Sequence, residues 1–319
     1  MLRVKSFLNH HGIAFKEQVP IALLTGMGQD GRLPLVVYPN SVEQLTDMLQ
    51  EVLKRNFSFD VFGGLTNTYL CSNYQRAVII ITSQVKDISF GDGKLMVGCG
   101  YNLTKLAREL CKKGIAGYDG LIGIPGTVGA AAINNSSAFE TSLSKVVRSL
   151  TVLDKNGKKN ILSNADMQYS LRSSRLKHNN DFIVLSVELD ISRHADKDVL
   201  NERISRQTRY RQEMIDGKRK SLGSVFVSPS LKAIGSRHWF RIYAKKICYA
   251  PLKLLFHSQR VNTWMDFLFL GHPRLARHCD SLNRFTWGPK TKESDFFNYI
   301  NTMQRLADDK LELEIEIKR

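Results

Sequence analysis

The sequence predicts an α+β protein of two or three domains. Its 319 residues exceed one ordinary domain. Strand-like and helix-like stretches alternate through the first two thirds, and the last third turns basic and aromatic. An apolar fraction of 43% and a charged fraction of 24% are ordinary for a globular chain and exclude a mainly disordered protein, a collagen-like fibre or a coiled-coil rod.

The elements follow in order. His10-His11 read as part of a loose N-terminus. Leu35-Val36-Val37-Tyr38 suits a strand, and Ser41 then caps a helix whose apolar positions are Leu45, Met48, Leu49 and Val52. Ser58 to Val61 reads as a second strand, broken by Gly63-Gly64, and Ala77 to Thr82 as a buried β-branched one. Lys94 to Gly100 is a strand ending in glycines, and Asn102 to Lys113 a capped amphipathic helix. Ser149 to Leu153 and Lys159 to Leu162 flank an Asn-Gly turn, a strong hairpin signal. Phe182 to Leu189 alternates as a strand, Asp198 to Met214 is a polar helix, and residues 221–229 return to a glycine and β-branched pattern. Asp295 to Leu306 is an amphipathic helix, and Leu311 to Ile317 a strictly alternating closing strand.

Net charge is +16, and its distribution is uneven: between Arg203 and Lys290 there are 18 Lys and Arg against 4 Asp and Glu. Such a local excess calls for an anionic substrate, a membrane surface or nucleic acid, and no nucleic-acid motif supports the last. The five cysteines form no C-x-x-C pair and read as reduced, mostly buried thiols. No apolar run is long enough to span a membrane or to serve as a signal-peptide core, so a cytoplasmic location is expected. The eight histidines show no metal-ligand spacing, so no metal is expected.

Two glycine loops carry the chemistry. Gly120 to Asn135 is dominated by small residues, with Pro125 fixing φ among Gly123, Gly126 and Gly129. Such a backbone can wrap a phosphorylated cofactor with N–H groups aimed at the anion, and is equally compatible with a tightly packed turn. Phe62-Gly63-Gly64-Leu65-Thr66-Asn67 follows a strand and offers a glycine pair with hydroxyl and amide donors. It is neither a P-loop nor a dinucleotide fingerprint, and alone it reads as an ordinary turn.

Taken in order, these loops resemble the flavin-binding half of the UDP-N-acetylenolpyruvoylglucosamine reductase (UDP-N-acetylmuramate dehydrogenase) family, as a divergent member. Further motifs extend the resemblance. Leu171-Arg172-Ser173-Ser174-Arg175-Leu176-Lys177 is similar to a Tyr-Arg-x-Ser-x-Phe-Lys motif, Gly223 to Pro229 to Gly-Ser-Val-Phe-Lys-x-Pro, and Leu311 to Ile315 to Leu-Glu-Pro-Glu-Val. The resemblance implies a three-domain, vanillyl-alcohol-oxidase-like (PCMH-type) FAD-binding fold. Residues 1–82 and 83–195 would form the FAD-binding subdomains, 196–305 a substrate domain, and 306–319 a strand bearing a catalytic Glu. It implies FAD, with NADPH as hydride donor, reducing an enolpyruvyl sugar nucleotide in cell-wall synthesis. It places FAD contacts on Gly63, Gly64, Thr66, Asn67, Gly123, Ile124, Pro125, Gly126, Thr127, Gly129 and Asn135. It also makes Ser224 the proton donor, Arg172 the group that polarises the substrate carboxylate, and Glu314 the catalytic carboxyl.

The chain departs from the pattern at Leu65 and Thr66, at Asn135 to Glu140, at Lys220 to Leu222 and at Val227. The family's His-x-Asn-Phe-Ile-Val-Asn segment falls best on Ser281 to Trp287, with Asp295 as the later Asp. The flavin half is better kept than the sugar-nucleotide half, so an FAD-dependent sugar oxidase on this fold and a non-catalytic membrane-associated relative are the alternatives. Residues 236–271 read as a basic aromatic insertion: Trp239, Ile242, Tyr243, Ile247 and Ala250 share a helical face, and Pro251 ends or kinks that helix before Leu252 to Phe256. The aromatics are expected to form core, with peripheral contact on an anionic membrane as the alternative.

Overall fold

A computed structural model describes residues 2–27, 29–179, 181–214, 219–255 and 259–319; the side chains of 213–214, Pro229 and 249–255 lie outside the description. Ala250, Phe256 and the rest of the run from Leu252 are therefore not placed as side chains. The chain folds into two compact units: the first holds residues 1–19, 32–66 and 75–210, the second 20–31, 67–74 and 211–319.

Unit 1 contains two sheets. A four-stranded sheet has the order Ala14–Pro20, Arg32–Tyr38, Val78–Ile81, Phe59–Phe62. Val78–Ile81 is buried at every position, as its unbroken β-branched run requires, and it pairs in parallel with Arg32–Tyr38 and Phe59–Phe62. The parallel step is made by helix Val42–Lys54, whose N-cap Ser41 accepts a hydrogen bond from the Gln44 amide at 3.1 Å. The second sheet is antiparallel, ordered Lys159–Ser163, Val147–Asp154, Phe182–Asp190, Lys94–Gly98, Ile88–Gly91. Its hairpin closes on the Asp154 carboxylate, which accepts from the Asn156 and Lys158 amides at 2.9 Å each. Leu35, Val37, Val78 and Ile80 of the first sheet share one core with Val97, Leu150 and Val187 of the second.

The N-terminus is not loose. Leu2–His10 is a helix with Val4 and Leu8 fully buried, so two apolar residues one turn apart suffice to dock it on this core.

Unit 2 is assembled from three stretches of chain. Strand Thr68–Leu70 pairs in parallel with Glu316–Lys318, and Cys279–Ser281 forms a short hairpin with Arg284–Phe285. Helices Lys232–Arg237, Trp239–Leu255, Gln259–Phe269 and Glu293–Leu306 complete it. The core is aromatic: Phe296 lies 4.8 Å from Tyr69 and 4.9 Å from Trp287, centroid to centroid, with Phe285 and Tyr299 packed beside them.

Three expectations are corrected here. The closing strand is shorter than its alternation suggests; only Glu316–Lys318 is a strand, because its partner is three residues long, and Leu313 makes a single bridge to Phe226. The helix that begins at Trp239 runs past Pro251 to Leu255 rather than ending there. Its aromatic face is not core: Trp239, Phe240, Tyr243 and Ile247 are exposed, while unit 2 buries Ile234, Met265, Phe267 and Leu270. Four cysteines are buried as expected and Cys248 is exposed.

Candidate functional site

In unit 1 the two glycine loops lock together. A Cβ on Gly63 would stand 2.4 Å from Thr127 Oγ1, so only glycine allows the loops this approach. Gly126 has φ +117°, and a Cβ there would meet Thr66 Oγ1 at 3.0 Å. Thr66 in turn donates to the Pro125 carbonyl at 3.4 Å. Leu65 holds a left-handed φ of 52° with its side chain buried, at the position where the sequence departs from a smaller residue.

Thr104 fixes the other end of the second loop. Its hydroxyl donates to the Ile124 carbonyl at 2.9 Å and accepts from the Gly123 amide at 3.0 Å. Thr127 caps helix Val128–Ile133, and the Gly129 amide donates to the Cys99 carbonyl at 2.8 Å. Thr104 was not singled out from the sequence; its only sign there is a hydroxyl in the first turn of a capped helix.

This arrangement leaves four successive amide groups, Gly63, Gly64, Leu65 and Thr66, without an acceptor among the described residues. Backbone donors are seldom left unpaired, and a run of them is a cradle for an anion. The residues fit the diphosphate of a dinucleotide such as FAD. Asn135 is differently employed: its amide donates to the Ser170 carbonyl at 2.7 Å and accepts from the Ser144 amide at 3.1 Å, which ties three segments of the unit together.

Of the three expected catalytic residues, one belongs to unit 1 and two to unit 2. Arg172 belongs to unit 1, half-buried, with a left-handed φ of 55° and its carbonyl held by Lys177 Nζ at 2.8 Å. Ser224 and Glu314 belong to unit 2, on chain segments hydrogen-bonded to each other: the Glu314 amide donates to the Val225 carbonyl at 2.9 Å, and the Val227 amide to the Glu312 carbonyl at 2.8 Å. Ser224 is exposed next to Gly223, whose φ is +84°.

Two asparagines hold that pair of segments. Asn283 accepts from the Phe226 amide and donates to the Phe226 carbonyl, both at 2.7 Å, and its own carbonyl takes the Val225 amide at 2.9 Å. Asn67 donates to the Glu314 carbonyl at 3.1 Å. Asn67, expected at the cofactor, thus positions the chain at Glu314. Asn283 falls on the first Asn of the His-x-Asn-Phe-Ile-Val-Asn segment, but the sequence does not reveal the clamp it makes on Phe226.

Unit 2 also has a cavity of about 600 Å³ lined by Arg219, Arg277, His278, Trp287, Lys290 and Asp295. Burial, with Arg277 and Arg219 close by, outweighs Asp295 and holds the His278 imidazole below its ordinary value. His278 is then neutral near pH 7, and the cavity's positive charge comes from the arginines and the lysine. Cysteine chemistry is disfavoured in unit 1: burial pushes the Cys99 and Cys111 thiols up to about 12.

Comparison with known proteins agrees with this geometry. Residues 33–161 match the FAD binding domain family. UDP-N-acetylenolpyruvoylglucosamine reductase of Caldicellulosiruptor bescii is 28% identical over 72% of this chain and 73% of its own length. The Bacillus subtilis enzyme of that name is 27% identical over 66% of this chain and 69% of its own length. The chain is thus similar to these reductases. The crystal structure of the Thermus caldophilus UDP-N-acetylenolpyruvylglucosamine reductase superposes with a TM-score of 0.66, covering 96% of this chain and 99% of that one at 20% identity. The fold is therefore the expected α+β FAD-binding one across nearly the whole chain.

Proposed function

We propose that this relative of the enolpyruvoylglucosamine reductases is an FAD-dependent oxidoreductase that reduces an enolpyruvyl sugar nucleotide in peptidoglycan synthesis, with NADPH as the reductant. The observation that carries the reading is the row of amides at Gly63 to Thr66 that meet no acceptor among the described residues, framed by a second glycine loop inside the matched FAD-binding segment. Gly63, Gly64, Thr66 and the Gly123–Thr127 backbone would hold the dinucleotide's phosphates. Reduced FAD supplies the hydride.

The chain's own side chains would handle charge and protons. Adding hydride to an enol ether leaves negative charge that spreads into the adjacent carboxylate. A guanidinium at Arg172 stabilises that charge by paired N–H donors. The Ser224 hydroxyl delivers the proton that completes the lactyl ether, so one hydride and one proton add across the double bond. Glu314, held by Asn67 and the Val225 carbonyl, is the accompanying carboxyl. The cationic cavity at Arg219, Arg277 and Lys290 supports an anionic substrate. We place the protein in the cytoplasm.

The test is direct. Purified protein should be yellow or take up FAD, bleach with NADPH, and recover its colour on adding enolpyruvyl UDP-N-acetylglucosamine. Failure to take up FAD overturns the reading. Recovery with oxygen and simple sugars only would make the protein a sugar oxidase.

A further inference from the structure

Helix Trp239–Leu255 is arranged the wrong way round for a helix in water. Trp239, Phe240, Tyr243 and Ile247 are 65%, 67%, 59% and 59% exposed. Positions 239, 243 and 247 are spaced by four and share one face, and 240 adjoins it. Lys245 lies on the opposite face, and its side chain is only 12% exposed. It is inserted against helix Gln259–Phe269, where its ammonium pairs with Asp266 and donates to Asn262 at 2.7 Å. Arg241 reaches the Leu270 carbonyl at 3.4 Å. These polar ties fix the rotation of the helix, so the aromatic face cannot turn inward without breaking them.

The neighbouring helix behaves similarly on its outer side. Thr263, Met265 and Phe267 are buried, while Trp264 and Leu268, one turn apart, are exposed. Asp266 is the sole acidic residue between Ser236 and Gly271, against six Lys and Arg, and Lys245 neutralises it. Lys246 lies exposed beside the aromatic face. Arg237 is paired with Asp308 and Lys245 with Asp266, so the exposed face is apolar at its centre with the Lys246 cation beside it.

We propose that this face docks on an anionic bilayer surface, with Trp239, Phe240, Tyr243 and Ile247 entering the interfacial layer and Lys246 meeting lipid headgroups. The chemistry selects the occupant. Trp and Tyr combine an apolar body with a polar tip suited to the headgroup level, and lysine is drawn to anionic lipid. A second copy would bring like charges together at Lys246. No described helix is long and apolar enough to cross a membrane, so the contact is peripheral. This inference is independent of the reaction assigned above.

Sedimentation of the full chain with lipid vesicles tests it. We expect binding to phosphatidylcholine vesicles containing roughly a third phosphatidylglycerol, weak binding to phosphatidylcholine alone, and loss in high salt. The double variant Tyr243→Ser, Ile247→Ser should abolish sedimentation. Lys246→Glu, which removes one positive charge and adds one negative, should weaken it about twenty-five-fold, at about fivefold per charge. In a Trp264→Phe background, where Trp239 and the buried Trp287 remain, brominated lipid should quench the exposed Trp239 component of the fluorescence. Unchanged far-UV circular dichroism and an unchanged melting temperature report that all variants fold. The proposal is overturned if the wild-type chain ignores the anionic vesicles, or if the double variant still binds them. A dimer dissolved by the double variant, or binding to DNA in place of vesicles, overturns it equally.

Discussion

The glycine loops of unit 1 and the helix Trp239–Leu255 of unit 2 expose opposite things. The loops bury large side chains such as Leu65 and Leu121 and leave backbone donors unpaired among the described residues. The helix buries a lysine and leaves large apolar side chains in water. Each is a local violation of the usual economy of folding, in which buried polar groups are paired and apolar groups covered. The kind of violation indicates the kind of missing contact: unpaired amides want an anion, and uncovered aromatics want an apolar layer. Neither surface is explained by packing alone.

Substitutions can separate these two surfaces from the catalytic chain segments. The largest effect is expected at Ser224→Ala: flavin bleaching by NADPH persists, and reoxidation by the enolpyruvyl substrate slows by about 10²-fold or more. Equal loss of both half-reactions in stopped-flow absorbance would show that the serine is misassigned. Next is Gly126→Ala, which forces a side chain onto φ +117° beside Thr66. At about 1–3 kcal/mol of strain, FAD affinity should fall by about tenfold to a hundredfold in titration calorimetry, with vesicle binding untouched.

An effect on stability rather than on flavin or substrate is expected at Asn283→Ala. The amide and carbonyl of the fully buried Phe226 both depend on that side chain. Leaving them unpaired should cost about 2–4 kcal/mol and lower the melting temperature. Asn283→Asp, which keeps the acceptor and loses the donor, should fall in the middle; an unchanged melting temperature in Asn283→Ala would remove the clamp from the account.

The smallest concerns Asp190 in unit 1. Hydrogen bonds from the Ser192 hydroxyl and amide, with help from Arg148, hold its carboxyl at about 2. A lowered folded value means stability that is complete above the unfolded value near 4 and is lost as pH falls from about 4 towards 2. Screened by solvent, the contribution is about 1 kcal/mol. Asp190→Asn should flatten the acid limb of unit 1's stability curve; an unaltered limb would exclude this contribution.

How much was legible depended on how local the cause was. Ser41 and Asn102 announce their helices because a cap acts over three residues. The Asn-Gly hairpin and the glycine loops are equally local, since dihedral requirements write themselves into residue type. What escaped was non-local. Pro20–Gly31 and Asn67–Tyr74 join unit 2, although their sequence neighbours build unit 1. The alternation from Leu311 promised seven strand residues, but Thr68–Leu70 offers only three to pair with. Asn135 stands in a motif, but the sequence does not reveal that its side-chain amide bonds Ser144 and the more distant Ser170. The spacing of Trp239, Tyr243 and Ile247 was visible, but which way that face points depends on where Lys245 finds Asp266.

The route of the chain has a practical consequence for anyone dissecting this protein. Because unit 2 draws on residues 20–31 and 67–74 as well as everything after Tyr210, no single cut yields two self-sufficient pieces. A fragment ending at Tyr210 would carry two orphaned stretches, one of them the strand that should pair with Glu316–Lys318. A fragment starting at Arg211 would lack Tyr69 and hence a wall of its aromatic interior. Tags, fusions and circular permutations should therefore respect both borrowed stretches, or supply them in trans.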